Sequence, residues 1–230
     1  NNNIYVELLR SLLRPLFFIT IKYNYMTNIT KLNALPDRDN EIQVNEFHYV
    51  NKNKIKDLSP NDFTEIFLGL GCFWGAERLF WKLSYVNVTS VGYGGGFTKN
   101  PTYQDICSGQ SGHAELVRIV YKNNSSTFQD ILKVFWENHN PTQGMRQGND
   151  VGTQYRSCIY VNNNDLYEIA CDSKIIYQKN LEYNNIKEVI TTDISLNKPF
   201  YYAEDYHQQY LEKNPLGYCG VQGTGVKFLD

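Results

Sequence analysis

The stretch Phe63-Thr64-Glu65-Ile66-Phe67-Leu68-Gly69-Leu70-Gly71-Cys72-Phe73-Trp74-Gly75-Ala76-Glu77-Arg78 organises the rest of the chain. Phe63 to Leu68 is short, apolar and β-prone, which reads as a strand. Past Cys72 the period changes, and Phe73, Ala76, Leu79, Phe80 and Leu83 recur at the spacing of one buried helical face. Cys72 therefore stands at a strand-to-helix turn. Unpaired amide N–H groups and the positive end of the helix dipole meet there, and both favour a thiolate over a thiol. The flanking glycines leave the sulfur room, while Phe73 and Trp74 put an apolar wall beside it. One reading is a nucleophilic cysteine facing a small, partly apolar group; the other is a buried core cysteine, the commonest role of the residue. Gly69-x-Gly71 after a strand also resembles the start of a dinucleotide fingerprint. That fingerprint needs its third glycine where Trp74 stands, and an indole there blocks close helix–strand packing. The dinucleotide reading fails.

A chain of 230 residues suits one ordinary domain plus an appendage, and its core can stand without disulfide staples. A formal charge of −2 and a pI near 6.1 leave no electrostatic footprint for nucleic acid. Five cysteines, Cys72, Cys107, Cys158, Cys171 and Cys219, are dispersed without a CxxC pair or a Cys/His cluster at zinc spacing, so no metal is expected. Odd, scattered cysteines fit a reducing compartment with one or two working thiols. Asparagine is abundant, and sequons such as Asn28-Ile29-Thr30 are read as a consequence of that bias rather than as glycosylation sites.

The first part of the chain differs from the body. Residues 1–36 carry Arg10, Arg14, Lys22 and Lys31 against a single acid, Glu7, with many apolar residues. That is the composition of an organellar transit peptide, although serine is scarce. Arg14 and Pro15 interrupt the apolar run, which is too short to span a membrane. The alternative is sequence upstream of a true start at Met26. Residues 37–60 read as a poorly ordered lead-in, so the division expected is 1–60 as an N-terminal extension and 61–230 as the catalytic domain.

In the body, Val86 to Val91 alternates as a second strand and is followed by a long glycine-bearing loop, Gly92 to Gly112, of the kind that is usually functional. Glu115 to Tyr121 alternates again, with Leu116 or Val117 marking the inner face. Ser126 and Thr127 can cap a helix whose face is Phe128, Ile131, Leu132, Phe135 and Trp136 and which stops at Asn140-Pro141. A glycine-rich loop from Thr142 to Thr153 leads to a strand over Tyr155 to Val161. A helix then runs from Asp165 through Leu166, Ile169, Ala170 and Ile176, followed by a short strand Glu188 to Thr191 and a short helix Ala203 to Leu211. The order predicts an α+β two-layer sandwich: a ferredoxin-like β-α-β-β-α-β core, one antiparallel sheet with helices packed on it, and a long glycine-rich C-terminal coil carrying Cys219.

Gly71-Cys72-Phe73-Trp74-Gly75-Ala76-Glu77-Arg78 closely resembles the active-site signature of the A-type peptide methionine sulfoxide reductases. The resemblance runs from about Phe63 to Val226. It takes in Gly92 to Gly96, Asn100-Pro101-Thr102-Tyr103, Ser108 to Glu115, Phe135 to His139, Gln143 to Ser157, Tyr201 to Tyr210 and Gly217-Tyr218-Cys219-Gly220. It implies thiol-dependent reduction of methionine-S-sulfoxide, free or in oxidised proteins, with Cys72 as nucleophile and Glu115 as the acid. It also implies Phe73 and Trp74 as holders of the methyl group, Tyr103 and Tyr155 as hydroxyl donors to the sulfoxide oxygen, and Asp150 as the pocket aspartate. Cys219 matches the resolving cysteine, so a Cys72 sulfenic acid followed by a Cys72–Cys219 disulfide is implied, with thioredoxin as reductant.

Some members of the family carry a further recycling cysteine where this chain has Lys227, so a two-thiol cycle is expected. No cofactor, nucleic-acid or membrane partner is expected, and the family implies a monomer. The location expected is cytoplasmic, or mitochondrial or another organelle if residues 1–36 target it. Cys107, Cys158 and Cys171 receive no role, and His113 and His139 are read as structural. Two rival functions use the same residues: a thiol peroxidase, which needs an arginine close to the sulfur, and a non-catalytic binder of oxidised methionine, which needs no resolving thiol.

Overall fold

The computed structural model describes residues 29–56, 62–218 and 220–229. Strand β1, Phe63–Leu70, leads through Gly71 and Cys72 into helix α1, Phe73–Phe80. Strand β2, Val86–Gly94, is followed by a short helix α2, Tyr103–Cys107, inside the first glycine-bearing loop. Strand β3, Ala114–Lys122, then precedes helix α3, Ser125–Glu137. The second glycine-rich loop folds as a small hairpin of β4, Arg146–Gln147, and β5, Asp150–Val151. A 3-10 turn over Thr153–Tyr155 enters strand β6, Ser157–Val161, and helix α4 covers Asn164–Tyr183. Two edge strands, β7 at Asp193–Leu196 and β8 at Phe200–Tyr202, precede helix α5, Tyr210–Lys213.

The main sheet has six strands in the order β7-β6-β1-β3-β2-β8. Neighbours among its inner four, β6, β1, β3 and β2, pair antiparallel. The sheet extends beyond the four strands that a ferredoxin-like core would have, and it is mixed rather than antiparallel throughout, because β7 pairs parallel to β6. The strand expected at Glu188 to Thr191 forms instead at Asp193–Leu196, where Ile194 and Leu196 pack on the core. The helix expected from Ala203 to Leu211 is broken up. Its first part is coil and a 3-10 turn, and Gln209 has φ +48°, a left-handed conformation that ends any continuous helix.

Both faces of the sheet are buried, which is why the strands read as near-continuous apolar runs. Ile66, Leu68, Val117, Ile119, Ile159 and Val161 enter the core under the helices. Their neighbours Phe67, Leu116, Cys158 and Tyr160 form a second cluster on the opposite face with Phe200. Leu116 and Val117 are therefore both inward-facing, on opposite sides. Cys158 is a core residue, as its apolar strand implied.

Helix α3 buries the face expected, Phe128, Ile131, Leu132, Phe135 and Trp136. Its cap is Asn124 rather than Ser126 or Thr127: the Asn124 side chain accepts the Thr127 N–H at 2.7 Å. Helix α4 is likewise capped by Asn163, and its buried stripe is Leu166, Ala170, Ser173, Tyr177 and Leu181. The two helices meet where the Trp136 indole N–H donates to Ser173 Oγ at 3.0 Å. Truncating the fully buried Phe135 to alanine is expected to cost about 3–5 kcal/mol. Urea unfolding reads this as a lower midpoint at unchanged slope, and a loss below about 1 kcal/mol would mean the site collapses without a cavity.

The poorly ordered lead-in expected at 37–60 is not what forms over residues 37–56. Ile55 and His48 are fully buried, and Val44 packs beside Ile55, Val88 and Val120. Arg38 pairs with Asp105 through two hydrogen bonds of 2.8 and 3.0 Å, and Asn45 bonds both Asp205 oxygens. Too few apolar residues are involved for hydrophobic patterning to register; polar contacts to distant loops hold the segment. Residues 1–28, where most of the targeting composition falls, lie outside the described residues, as does Cys219. Among the described residues no helix is long and apolar enough to cross a membrane.

Candidate active site

Strand β1 delivers the chain to Gly71, whose φ of +91° only glycine adopts without strain; a Cβ there would also lie 2.6 Å from Gln147 Cγ. That turn puts Cys72 at the N-cap of α1, partly exposed. The amides of Trp74 and Gly75 hydrogen-bond its sulfur, as expected of a helix N-terminus. They do not prevail. Burial first, and the neighbouring Glu115 carboxylate second, push the thiol up to about 12. Burial thus outweighs the thiolate-favouring pull of the helix N-terminus.

Glu115 is buried at the start of β3, and one carboxyl oxygen accepts the Phe73 N–H at 2.9 Å. Burial raises its pKa to about 8 against the pull of that single hydrogen bond, with Asp150 raising it further. At neutral pH it holds a proton. A buried acid thus sits against the backbone of the residue after Cys72.

Phe73 is buried in the core, tilted against Tyr93 at a centroid distance of 5.9 Å, and Trp74 is half-buried and stacked on Tyr210 at 3.8 Å. Tyr103 comes from α2, whose capping box of Thr102 and Asp105 is braced by Arg38. Its backbone N–H donates to Glu204 Oε1 at 2.9 Å. Tyr155 comes from the 3-10 turn and Asp150 from the β4–β5 hairpin. The Tyr155 hydroxyl is made less acidic, first by burial and then by Glu115, Asp150 and Cys72. Burial and the charges of Cys107 and Glu115 act in the same way on Tyr103. These pairwise influences link Cys72, Glu115, Asp150, Tyr103 and Tyr155, from five separate segments, in one electrostatic network.

His113 and His139 are structural, as read. Both His113 ring nitrogens are engaged, by the Gly96 N–H and by Thr98, and those of His139 by Phe135 O and Ser157 Oγ. Burial lowers each to about 4, so neither serves as a base to Cys72. Among the described residues no group of His, Cys, Asp and Glu is placed to hold a metal.

Sequence reasoning assigned no role to the segment 204–210, which closes one side of the site. His207 is buried and accepts the Trp74 indole N–H at 3.0 Å through Nδ1. Glu204 links Tyr93 Oη and the Tyr103 N–H. Gln208 clamps the Val91 backbone through both ends of its amide, and Glu77 of α1 accepts from Thr89 and from the Gln209 backbone and side chain. The dense polar run Glu204-Asp205-Tyr206-His207-Gln208-Gln209 was the available signal, but nothing in it names its partners more than a hundred positions earlier.

The C-terminal coil is pinned on both sides of the Cys219 position. Upstream, the Gly217 N–H donates to Asn214 O. Downstream, Val226 is buried, Tyr177 Oη bonds Thr224 and Val226, and Phe228 N–H donates to Glu137. Lys227 pairs with Glu137 at 2.6 Å. Between these anchors Tyr218, Gly220, Gln222 and Gly223 line a cleft with Gln147, the side chain packed against Gly71.

A family model described as peptide methionine sulfoxide reductase matches residues 64–227. The peptide methionine sulfoxide reductase MsrA of Vibrio parahaemolyticus is 53% identical over 205 residues, 89% of this chain and 96% of its own. The mitochondrial peptide methionine sulfoxide reductase of Homo sapiens is 52% identical over 216 residues, 94% of this chain and 92% of its own. Among solved structures, methionine sulfoxide reductase A of Corynebacterium diphtheriae matches with a TM-score of 0.77 at 40% identity, covering 83% of this chain and 92% of that one.

Proposed function

The chain belongs to the peptide methionine sulfoxide reductase family, and from that premise we propose a reaction cycle run by Cys72, Glu115 and Cys219. The enzyme is an oxidoreductase that reduces methionine sulfoxide; the S epimer, free or in oxidised proteins, is its substrate. The observation that carries the reading is the buried Glu115 carboxyl accepting the Phe73 N–H at 2.9 Å, on the residue next to Cys72, where burial raises its pKa.

The sulfoxide enters with its methyl group against Phe73 and Trp74 and its oxygen toward Glu115, Tyr103 and Tyr155, with Asp150 on the pocket wall. Glu115 donates its proton to the oxygen as the Cys72 sulfur attacks, and the thiol proton returns to the carboxylate. The sulfoxide loses its oxygen and gains two electrons; Cys72 becomes a sulfenic acid. Cys219 then displaces hydroxide from that sulfur, giving water and a Cys72–Cys219 disulfide. A thioredoxin dithiol reduces the disulfide. The cleft shared by the pinned coil and Gln147, whose side chain packs on Gly71 just before Cys72, supports a short path for Cys219. Lys227, exposed and paired with Glu137, supports a cycle without a third thiol.

The ionisable groups acting on the Cys72 sulfur are the carboxyls of Glu115 and Asp150, with no arginine among them, which disfavours a peroxidase that needs an arginine there. We place the enzyme in the cytoplasm as a monomer, or in mitochondria if residues 1–36 are a targeting segment.

The testing experiment mixes reductant-free enzyme with separate S and R epimers of a methionine sulfoxide peptide and counts methionine formed and thiols lost. About one methionine and two thiols per chain, from the S epimer alone, is the expected result. No methionine from either epimer with a folded protein would point to a binder instead. Cys219→Ser should still release about one methionine per enzyme but fail to recycle with thioredoxin. Normal recycling by that variant would assign resolution of the sulfenic acid to another group.

A further inference from the structure

We propose that His207 is a positioning residue for the reduction, holding the Trp74 indole in the orientation that walls the methyl pocket and keeping it one ring's width from Tyr103. The inference rests on the reading of Trp74 as the methyl wall.

An indole nitrogen only donates, so the 3.0 Å contact from Trp74 Nε1 makes His207 Nδ1 the acceptor and places the imidazole proton on Nε2. That Nε2–H is buried and has no hydrogen-bond partner among the described residues. Glu204 Oε2 stands 3.9 Å away, beyond hydrogen-bond reach. A buried donor without a protein partner is costly, so the ring is not held here for its own hydrogen bonding to the chain. The use visible here is geometric. Trp74 lies on Tyr210 with ring centroids 3.8 Å apart and planes at 14°. Such stacking resists tilting but leaves a ring free to slide and turn within its own plane. A directional bond at the ring edge removes that freedom, and His207 Nδ1 supplies it.

The same imidazole touches the other side of the site. Its centroid is 4.6 Å from that of Tyr103 and 5.1 Å from that of Phe73. The methyl wall on α1 and an oxygen donor on α2 therefore rest against one ring. That ring is itself fixed, because the His207 N–H donates to Glu204 O and the next two residues are anchored on Val91 and Glu77. A sulfoxide is recognised by the separation between its methyl and its oxygen. His207 sets the matching separation in the protein.

The test is a steady-state comparison with a methionine sulfoxide peptide, driven by a small dithiol so that no protein reductant is involved. Its variants are His207→Phe, His207→Asn, His207→Gln, Trp74→Phe and the double variant Trp74→Phe/His207→Phe. Losing the one hydrogen bond, His207→Phe should raise KM about tenfold with little change in kcat. Asparagine places an oxygen where Nδ1 stands, so His207→Asn should recover most of the loss, whereas His207→Gln, which mimics only the Nε2 end, should not. In the Trp74→Phe background, which has no indole N–H, the His207→Phe change should have no further effect on KM. An equal KM effect in both backgrounds, or no difference between Asn and Gln, overturns the inference. Should His207→Phe fail to fold in a thermal melt, the Asn and Gln pair decides alone. A Trp74→Phe enzyme with unaltered KM overturns the methyl-wall reading as well, and the two failures are thereby told apart.

Discussion

Replacing Cys72 by serine is expected to abolish methionine formation, in a single turnover as well as in steady state. The geometry of the site survives the change, because the hydroxyl occupies nearly the sulfur's place at the N-cap and the Trp74 and Gly75 amides still face it. What is lost is the chemistry. A serine hydroxyl is weakly nucleophilic without a base, and the acidic neighbours Glu115 and Asp150 offer it no activation. Nor can oxygen take up the sulfoxide's oxygen to give an isolable, thiol-reducible product. Burial, the main cause, holds the wild-type thiol up to about 12, and in the proposed cycle its deprotonation is coupled to protonation of the sulfoxide by Glu115. Chromatographic counting of methionine per enzyme checks this. A stoichiometric burst from the serine variant would remove Cys72 as nucleophile.

Glu115→Gln comes second, with sulfoxide reduction slowed by about 10²-fold or more. Glutamine retains the acceptor for the Phe73 N–H, so the turn holding Cys72 is preserved while the transferable proton is lost. The pH dependence separates this from a packing defect. Burial stabilises the neutral carboxyl, raising its pKa from 4.5 to about 8. The acid form is therefore fully present below the lower value and is lost as pH rises through the upper one. In the wild type kcat/KM should fall above about pH 8, and in Glu115→Gln that limb should vanish. The same sign applies to folding: the native state keeps a proton that the unfolded chain releases above 4.5, so this group's contribution to stability declines between the two values. A wild-type profile flat through pH 9 (about one unit beyond that pKa) would leave the proton donor unidentified.

Local patterning carried a reader far in this chain. The change from strand-like to helical period at Cys72 placed the strand-to-helix turn correctly, and the buried face of α3 was legible residue by residue, because amphipathic spacing is imposed by burial on one side. The apolar strand around Cys158 was equally plain. Where both sides of an element are buried, as at Leu116 and Val117, periodicity has no direction to report. The helix starts at Asn124 and Asn163 were misplaced by two or three positions, since several nearby side chains are capable of the same bond.

Composition and local spacing establish which residue types are available to the chemistry: a cysteine at a helix N-terminus, an apolar pair beside it, a carboxyl opening a strand, and a glycine-rich coil. Their states are set by the fold. Desolvation and neighbouring charge depend on which segments meet, so a helix N-terminus that favours a thiolate in isolation holds a thiol beside buried Glu115. For the same reason the coil proved anchored on α3 and α4, the lead-in proved packed through Ile55 and His48, and His207 joined a site whose cysteine lies far earlier in the chain. Periodicity reports how each segment meets solvent; it carries no record of which distant segment meets it instead.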